Sequence, residues 1–554
     1  MFRTGRRLIS RGDIAGLGRR VGNLLVRWPG RSVPINYDSW RREHVELAPD
    51  HRSALVSMLD ALPVIPSFTI IDTGAQFSTA THMISDEFVP DVRIVHADDL
   101  ILDPRASDTQ QWFIHLPAGA RMHEAALAHL AIFVAHRSEV LVVYADNDHI
   151  DGEGRHVDPY FKPDWNPDLL LAQPYLGPLV AIHGDHLTQV LAGGFWMGIH
   201  DQLLRFTAGL REDQIGHIPR VLATVPRSDQ PSADLDAVTG HLARLGVDAE
   251  VSQAGRTCRV HWPIPDPPPR VSILIPTRNQ GRLLRRCLAG LYHRTCYPNV
   301  EVVIVNHESH QRLARREIDA ARERPDTIVL DHEGPFNFAS MMNRAADAAS
   351  GAVLCLLNND TEVLHHDWLT ELVGHACRPE VGAVGALLLF GDGTVQHAGV
   401  HPGLDGLMGH GHKHLAGDDP GYFDRLRSAH DVAAVTGACL VTTRAVWDEL
   451  GGLDEAGLAV AYNDVDFCLR ARAAGLRVVL TPHARLCHHE SVSRGFDDPA
   501  RSARLERELE VMRLRWGDFL MEDPAYNPNL SLDGHGFVPT LRPRIPRTPE
   551  PGGL

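Results

Sequence analysis

Three short polar stretches hold residues whose types and spacing could do chemistry. Asn358, Asn359 and Asp360 end an apolar run, Ala352–Leu357, that has the length and bounds of a buried strand. A carboxylate with two amides at the carboxyl end of such a strand suits a hard divalent cation that also holds phosphate oxygens. The same residues also fit a turn that caps a following helix. Asn463, Asp464, Val465 and Asp466 open a helix expected over Val465–Ala474. Asp464, ionised at neutral pH, can take a proton from a hydroxyl, or it can cap that helix. His488-His489-Glu490-Ser491 follows a strand expected over Arg477–Leu480 and a turn at Pro482. Between these stretches lies Gly391–Gly421, with Gln396, His397, His410, His412 and His414. Histidine clustering invites a metal reading. A mobile polar insertion that borders an acceptor cleft and closes over a donor is the other expectation.

The elements that must position these residues alternate. Val271–Ile275 is a strand stopped by Pro276, with Thr277, Arg278 and Asn279 in the turn. A helix over Leu283–Tyr292, a strand over Val300–Val305 ending in Asn306, a strand over Thr327–Leu330 and a helix over Phe338–Ala349 follow. This order predicts a parallel, doubly wound sheet whose strand ends face one crevice. Asn343 and Arg344 lie on the last of these helices. The amino-terminal half repeats the alternation, with a helical pattern over Tyr37–Leu62 and strands at Phe68–Ile71, Val92–Val95 and Gln111–Leu116. A helix over Glu124–His136 and a strand over Val140–Tyr144 come next. That strand ends in a run containing Asp146, Asp148 and Asp151, which reads as a solvated turn or as a metal cluster. The connection, about Ser228–Arg270, holds a helix over Asp234–Leu245 and a proline-rich extended segment up to Pro269.

A chain of 554 residues is too long for one ordinary core and predicts two or three domains. Its net charge of -16 excludes a general nucleic-acid binder. The eight cysteines contain no CxxC pair and read as reduced core residues of a cytoplasmic protein. No apolar run approaches the ~20 residues that cross a bilayer. Met1–Arg31 is distinct, with eight arginines against one acid, Asp13. It reads as a basic amphipathic helix on the inner face of an anionic membrane, or as a disordered basic tail.

Taken together, Val271-Ser-Ile-Leu-Ile-Pro-Thr-Arg-Asn279, Leu357-Asn-Asn-Asp-Thr-Glu362, Gly437–Arg444, Gly451-Gly-Leu-Asp454, Asn463–Phe467 and His488–Ser491 resemble family 2 glycosyltransferases. The resemblance covers roughly Val271 to Gly495, and the tandem layout is similar to bacterial proteins of surface polysaccharide, O-antigen or rhamnan assembly. It implies an α/β fold of two tandem GT-A-like, mostly parallel modules, the first degenerate. The expected boundaries are 1–36 for the basic segment, 37–225 for the degenerate module and 226–269 for a linker. The catalytic module takes 270–500, and a carboxyl-terminal helix and tail take 501–554. The implied activity is inverting, metal-dependent transfer of a sugar from a nucleoside-diphosphate sugar to a hydroxyl of a glycan or lipid-linked glycan.

On that resemblance Asp360 and His488 hold Mn2+ or Mg2+, with His489 as runner-up and Glu490 as the acceptor that orients the histidine. Imidazole suits Mn2+ better than Mg2+. Asp464 is the general base, with Asn463 replacing a glutamate of the family. Thr277, Arg278, Asn306, Asn343, Asn358 and Asn359 meet the donor, although Asn306 replaces an aspartate and puts the base in doubt. The first module departs from the family. Ser67–Asp72 lacks the usual opening turn, no carboxylate lies between Trp112 and Met122, and Asp201 is a relic of the base position. A silent glycan or nucleotide-sugar binding scaffold is the alternative. A nucleotidyltransferase would want a glycine-rich, lysine-bearing loop where Arg278–Gly281 stands.

The basic segment gives the first test. Full-length protein should float with anionic liposomes at low salt and lose that attachment at high salt, each basic residue contributing ~1 kcal/mol. Equal flotation of protein lacking residues 1–31 would contradict it.

Overall fold

The computed structural model describes residues 36–72, 88–89, 91–96, 111–191, 198–227, 232–406, 408–489, 499–517, 519–520, 522–534 and 536–546. Residues 1–31 and Glu490 lie outside them. Among the described residues two large sheets form. The first has strands β1 (Ser67–Asp72), β2 (Val92–His96), β3 (Gln111–Leu116), β4 (Arg121–Met122), β5 (Val142–Ile150), β6 (His156–Tyr160), β7 (Val180–His183) and β8 (Ile215–Pro226). A hairpin of β9 (Glu250–Ala254) and β10 (Thr257–His261) stands between the modules. The second begins with β11 (Val271–Thr277), β12 (Val300–His307), β13 (Thr327–His332), β14 (Val353–Leu357), β15 (Thr361–Val363) and β16 (Val381–Leu389). It continues with β17 (Val395–His397), β18 (Val400–Pro402), β19 (Met408–His410), β20 (His430–Asp431), β21 (Cys439–Thr443) and β22 (Arg477–His488), of which β18 and β19 pair apart as a separate ribbon.

The two sheets share one topology. The first runs β2-β1-β3-β7-β5-β8-β4 and the second β13-β12-β11-β14-β21-β16-β22-β15. Matching strands also match in direction. β1 and β11 each lie between two parallel neighbours, β7 and β21 are antiparallel on both sides, and the last strand pairs antiparallel with its neighbour in both. Each sheet is therefore mixed: parallel strands on one side of β7 or β21, and on the other a parallel pair, β5 with β8 or β16 with β22, followed by an antiparallel edge strand. Side chains of β11 alternate across the second sheet. Ile273 and Ile275 pack with Leu284, Leu288 and Leu372 on one face, and Leu274 packs with Met341, Met342 and Phe467 on the other.

Several elements differ from the sequence reading, each for a physical reason. β5 does not stop at Tyr144 but runs to Ile150, so Asp146 and Asp148 lie inside a strand rather than in a solvated turn. Both are fully buried. Asp146 accepts from the Lys162 amide, from Asn527 and from His217, whose ring nitrogens also reach Asp164. Burial disfavours a charged His217, but those two carboxylates outweigh it and raise its pKa to about 9. Asp148 is held by Tyr37, Arg41, His156 and Thr224. These partners consume the ligand atoms of the cluster that the acids suggested. β22 likewise runs through Pro482, which falls where the register with β16 shifts, so the strand continues to His488. In the connection, residues 262–270 form no helix or strand, as the proline content predicts, and β10 before them is packed. Cys258 and Val260 share a core with Leu169 and Val238, and Arg259 pairs with Glu371 at 2.7 Å. No helix among the described residues is long and apolar enough to cross a membrane.

The modules meet through buried charge. Asp168 receives a bidentate fork from Arg378 at 2.7 and 3.1 Å and a third contact from Arg477 at 2.6 Å. Burial would raise the Asp168 pKa, but the two guanidinium groups hold it far below the carboxylate range. Tyr160 stacks on Phe423 at 3.8 Å, and Asn166 bridges to the Asp431 backbone through both amide atoms. Removing the carboxylate leaves two guanidinium groups facing one another. Asp168→Ala should cost roughly 3–5 kcal/mol, seen as a lower urea midpoint. An unchanged midpoint would show that the ion cluster does not hold the modules together.

Candidate active site

The pairing of β15 with β22 sets Thr361 opposite His488. Asp360 precedes Thr361, and its carbonyl accepts the His489 amide at 2.9 Å. Asp360 Oδ1 consequently lies 3.1 Å from His488 Nε2. Two ligands at right angles on one octahedral ion, with bonds of about 2.1 Å, sit about 3 Å apart. The pair has that spacing and the oxygen-plus-imidazole character a divalent ion accepts. No group of three such side chains gathers here among the described residues. Two protein ligands leave room for phosphate oxygens and water, so the donor set fits a cation shared with substrate. Asn358 Nδ2 approaches His488 Nε2 at 3.3 Å. His489 instead turns away, to Glu362 at 3.1 Å.

The other strand ends converge unevenly. Asn359 donates to the buried Thr277 hydroxyl at 2.8 Å, joining β14 to β11 at the crevice. Arg278 beside it is exposed. Asn279 and Gln280 then take left-handed backbone, φ 57° and 51°, and turn the chain into the helix Gly281–Arg294. A Cβ on Gly281 would lie 2.5 Å from the Ala314 amide nitrogen, so only glycine lets that helix start this close to its neighbour. Asn306 is engaged on both sides, donating to Asp331 at 2.8 Å and accepting from the Ser309 amide at 3.2 Å. Asn343 is engaged as well. It donates to Leu453 O and Glu455 and accepts from the Leu453 amide, locking the turn after Gly451-Gly452. Arg344 binds His332 and the Asp331 carbonyl.

Asp464 lies in the first turn of the helix Asn463–Ala473. Its Oδ2 accepts the Gly437 amide at 2.6 Å and its Oδ1 the Val465 amide at 2.9 Å. Burial raises its pKa above the ordinary value, against the opposing pull of these backbone donors. The next residue after Gly437, Ala438, accepts the Asn358 amide at 3.1 Å. Asp464 is thus tied by two short backbone links to the strand end that carries Asp360. Tyr462, just before this helix, is left-handed at φ 62°. Its approach is clamped by buried Glu508, which accepts the Val460 and Ala461 amides at 2.9 and 3.1 Å. Glu508 gave no sequence signal, because a surface-type acid on a long helix looks like solvated charge.

Several histidines of the Gly391–Gly421 insertion are packed among the described residues. His397, His401 and His412 are buried. Burial holds His397 and His412 well below the usual histidine pKa, and the 2.8 Å His397–His410 contact fixes one ring against the other. His412 stacks on Phe537 of the carboxyl-terminal tail at 4.1 Å. The insertion also supplies Gln396, whose Oε1 lies 2.6 Å from His488 Nδ1.

The same strand pairing in the first module sets Arg121 opposite Thr224. By register, Ala120 stands where Asp360 does and Thr224 where His488 does. Thr224 Oγ1 instead donates to Asp148 at 2.5 Å. Asp201, on the helix preceding β8, is held by Arg205 and Arg244 at 2.8 and 3.0 Å.

Residues 268–516 match the family model described as glycosyltransferase like family 2. An uncharacterized protein of Sinorhizobium fredii (strain NBRC 101917 / NGR234) is 39% identical over 421 residues, 72% of this chain and 46% of that one. The O-antigen biosynthesis protein RfbC of Myxococcus xanthus is 38% identical over 431 residues, 74% of this chain and 33% of that one. The chain spans less than half the length of either relative. Among solved structures, a mannosyltransferase from Pyrobaculum calidifontis in complex with GDP-Man and Mn2+ aligns at 20% identity and a TM-score of 0.33. It covers 47% of this chain and 71% of that one.

Glu508 offers a test of how the Asp464 helix is held. Hydrogen bonds to a charged acceptor contribute about 1.5–3 kcal/mol each. Glu508→Ala should therefore speed hydrogen exchange at Val460 and Ala461 by roughly tenfold or more, while exchange in β11 stays unchanged. Equal protection in both proteins would show that the clamp is not what orders this segment.

Proposed function

Because residues 268–516 form a glycosyltransferase-like family 2 domain, we propose that the chain moves a sugar from a nucleoside-diphosphate sugar to a hydroxyl of a growing cell-surface glycan, inverting the anomeric carbon. The single observation that carries this reading is the Asp360–His488 pair at 3.1 Å with Asp464 linked to the same strand end. Mn2+ or Mg2+, held by Asp360 and His488, would neutralise charge on the departing diphosphate. Thr277, Arg278, Asn358 and Asn359 orient the donor along the crevice. Asp464 takes the proton of the acceptor hydroxyl as its oxygen bonds to the anomeric carbon. The bond from that carbon to the phosphate oxygen breaks, and its electron pair leaves with the nucleoside diphosphate. Support for a glycan acceptor comes from the name of the Myxococcus xanthus relative. The first module turns over no donor, since Ala120 and Thr224 stand at its ligand positions. It serves as a docked frame for the second. We place the reaction in the cytoplasm, with residues 1–31 as the contact to the membrane's inner face.

Two substitutions separate the roles. Asp464→Asn should lower turnover by roughly 10²–10⁴-fold with donor binding intact. Asp360→Ala should remove the Mn2+ dependence of donor binding. Near-normal turnover in the first, or unchanged metal dependence in the second, would refute the assignment. Asp201→Ala should leave transfer largely intact, and a loss as large as that of Asp464→Asn would show a working first module. Protonation silences a base, so turnover should fall as pH drops. Because burial raises the Asp464 pKa, the midpoint of that fall should lie above the ordinary aspartate value of about 3.9. A midpoint at or below that value would count against Asp464.

A further inference from the structure

We propose that Gln396 is a positioning residue for His488. It fixes the ring so that Nδ1 carries the proton and the Nε2 lone pair is left facing Asp360. This inference rests on the metal-site reading above and adds to it a residue from outside the three chemical stretches.

The geometry is specific. Gln396 lies in β17, 92 positions before His488, and is 4% exposed. It meets His488 twice. Its Oε1 is 2.6 Å from the ring Nδ1, and its Nε2 donates to the His488 carbonyl at 3.3 Å. An amide oxygen can only accept, so the ring nitrogen opposite it must be the donor. Flipping the amide would set an acceptor against the His488 carbonyl, so the two contacts agree on one orientation. With the proton on Nδ1, a neutral ring has its remaining lone pair on Nε2, the atom 3.1 Å from Asp360 Oδ1 and 3.3 Å from Asn358 Nδ2. A ligating histidine ordinarily has its other ring nitrogen held in this way, and loss of the holder typically weakens metal binding by about 10–100-fold. The insertion bearing Gln396 is itself immobilised. The His414 amide donates to the Val395 carbonyl at 2.7 Å, and Val395 is fully buried. The amide is thereby presented from a rigid strand, not from a loop.

The test uses full-length protein and Mn2+ as the probe, with bound ion measured by electron paramagnetic resonance in the presence of a nucleoside diphosphate. Gln396→Met removes the acceptor but keeps the volume, and should weaken Mn2+ binding by roughly 10–100-fold in protein that still unfolds cooperatively in urea. Gln396→Glu keeps the acceptor for Nδ1 while replacing the donor to the His488 carbonyl with a charged oxygen, and should still bind Mn2+ more tightly than Gln396→Met. Wild-type affinity in Gln396→Met would overturn the proposal. So would equal loss in both variants, because the backbone contact and not the ring contact would then be what matters. Asp360→Ala distinguishes failure of the inference from failure of the site. If Asp360→Ala abolishes Mn2+ binding while Gln396→Met does not, only the role of Gln396 falls. If the natural protein and Asp360→Ala bind Mn2+ alike, the metal site falls and the inference with it.

Discussion

The proposed site depends on one backbone pairing, that of β15 with β22. Antiparallel register sets Thr361 opposite His488, and the Asp360 carbonyl takes the next amide along. Because side chains alternate along a strand, a slip of one residue would turn His488 to the opposite face and break its contact with Asp360. The register is pinned from several sides. β22 pairs with β16 along most of its length, Gln396 holds His488 from β17, and the buried Val363 packs against Gly290 of the helix after β11. β15 has only three residues and could not fix its own register, so the larger sheet fixes it.

The same frame built twice shows what the frame alone provides. Apart from β13 and β20, which the second sheet adds, both modules share strand order and direction, yet only the second carries a carboxylate and an imidazole at the paired ends. In the first, the buried acids Asp146 and Asp148 have a structural use instead. They gather the Tyr37–His44 helix and the carboxyl-terminal tail onto the sheet. Together with the Asp168 cluster, these contacts fasten the first module to the second and to the carboxyl-terminal tail.

Much of this was legible in the sequence. Ala352–Leu357 has the uniform apolar character of a strand buried on both faces, and β14 is buried throughout. Asn359 and Thr277 also meet, because the parallel strands β11 and β14, both legible in the sequence, end side by side. What the sequence hid is long-range. Gln396 meets His488 across 92 positions, and Asn527 meets Asp146 across 381. No local pattern announces such partners. Asn306 and Asn343 stand at strand and helix positions that suggest donor contacts, and no local pattern shows that their amides also bond Asp331, Leu453 and Glu455. Pro482 suggested a break that a register shift accommodates within one strand. Histidine clustering in the insertion suggests a metal, while burial shows His397, His401 and His412 packed as rings.

The central claim is that a divalent ion and the donor diphosphate meet between Asp360 and His488. Anomalous diffraction near the manganese edge, from crystals grown with Mn2+ and a nucleoside diphosphate, tests it most directly. The account predicts an anomalous peak within bonding distance of the Asp360 carboxylate and His488 Nε2, and none beside Ala120 and Thr224. A peak at the first module, or nucleotide bound in the crevice with no ion at Asp360 and His488, would contradict it.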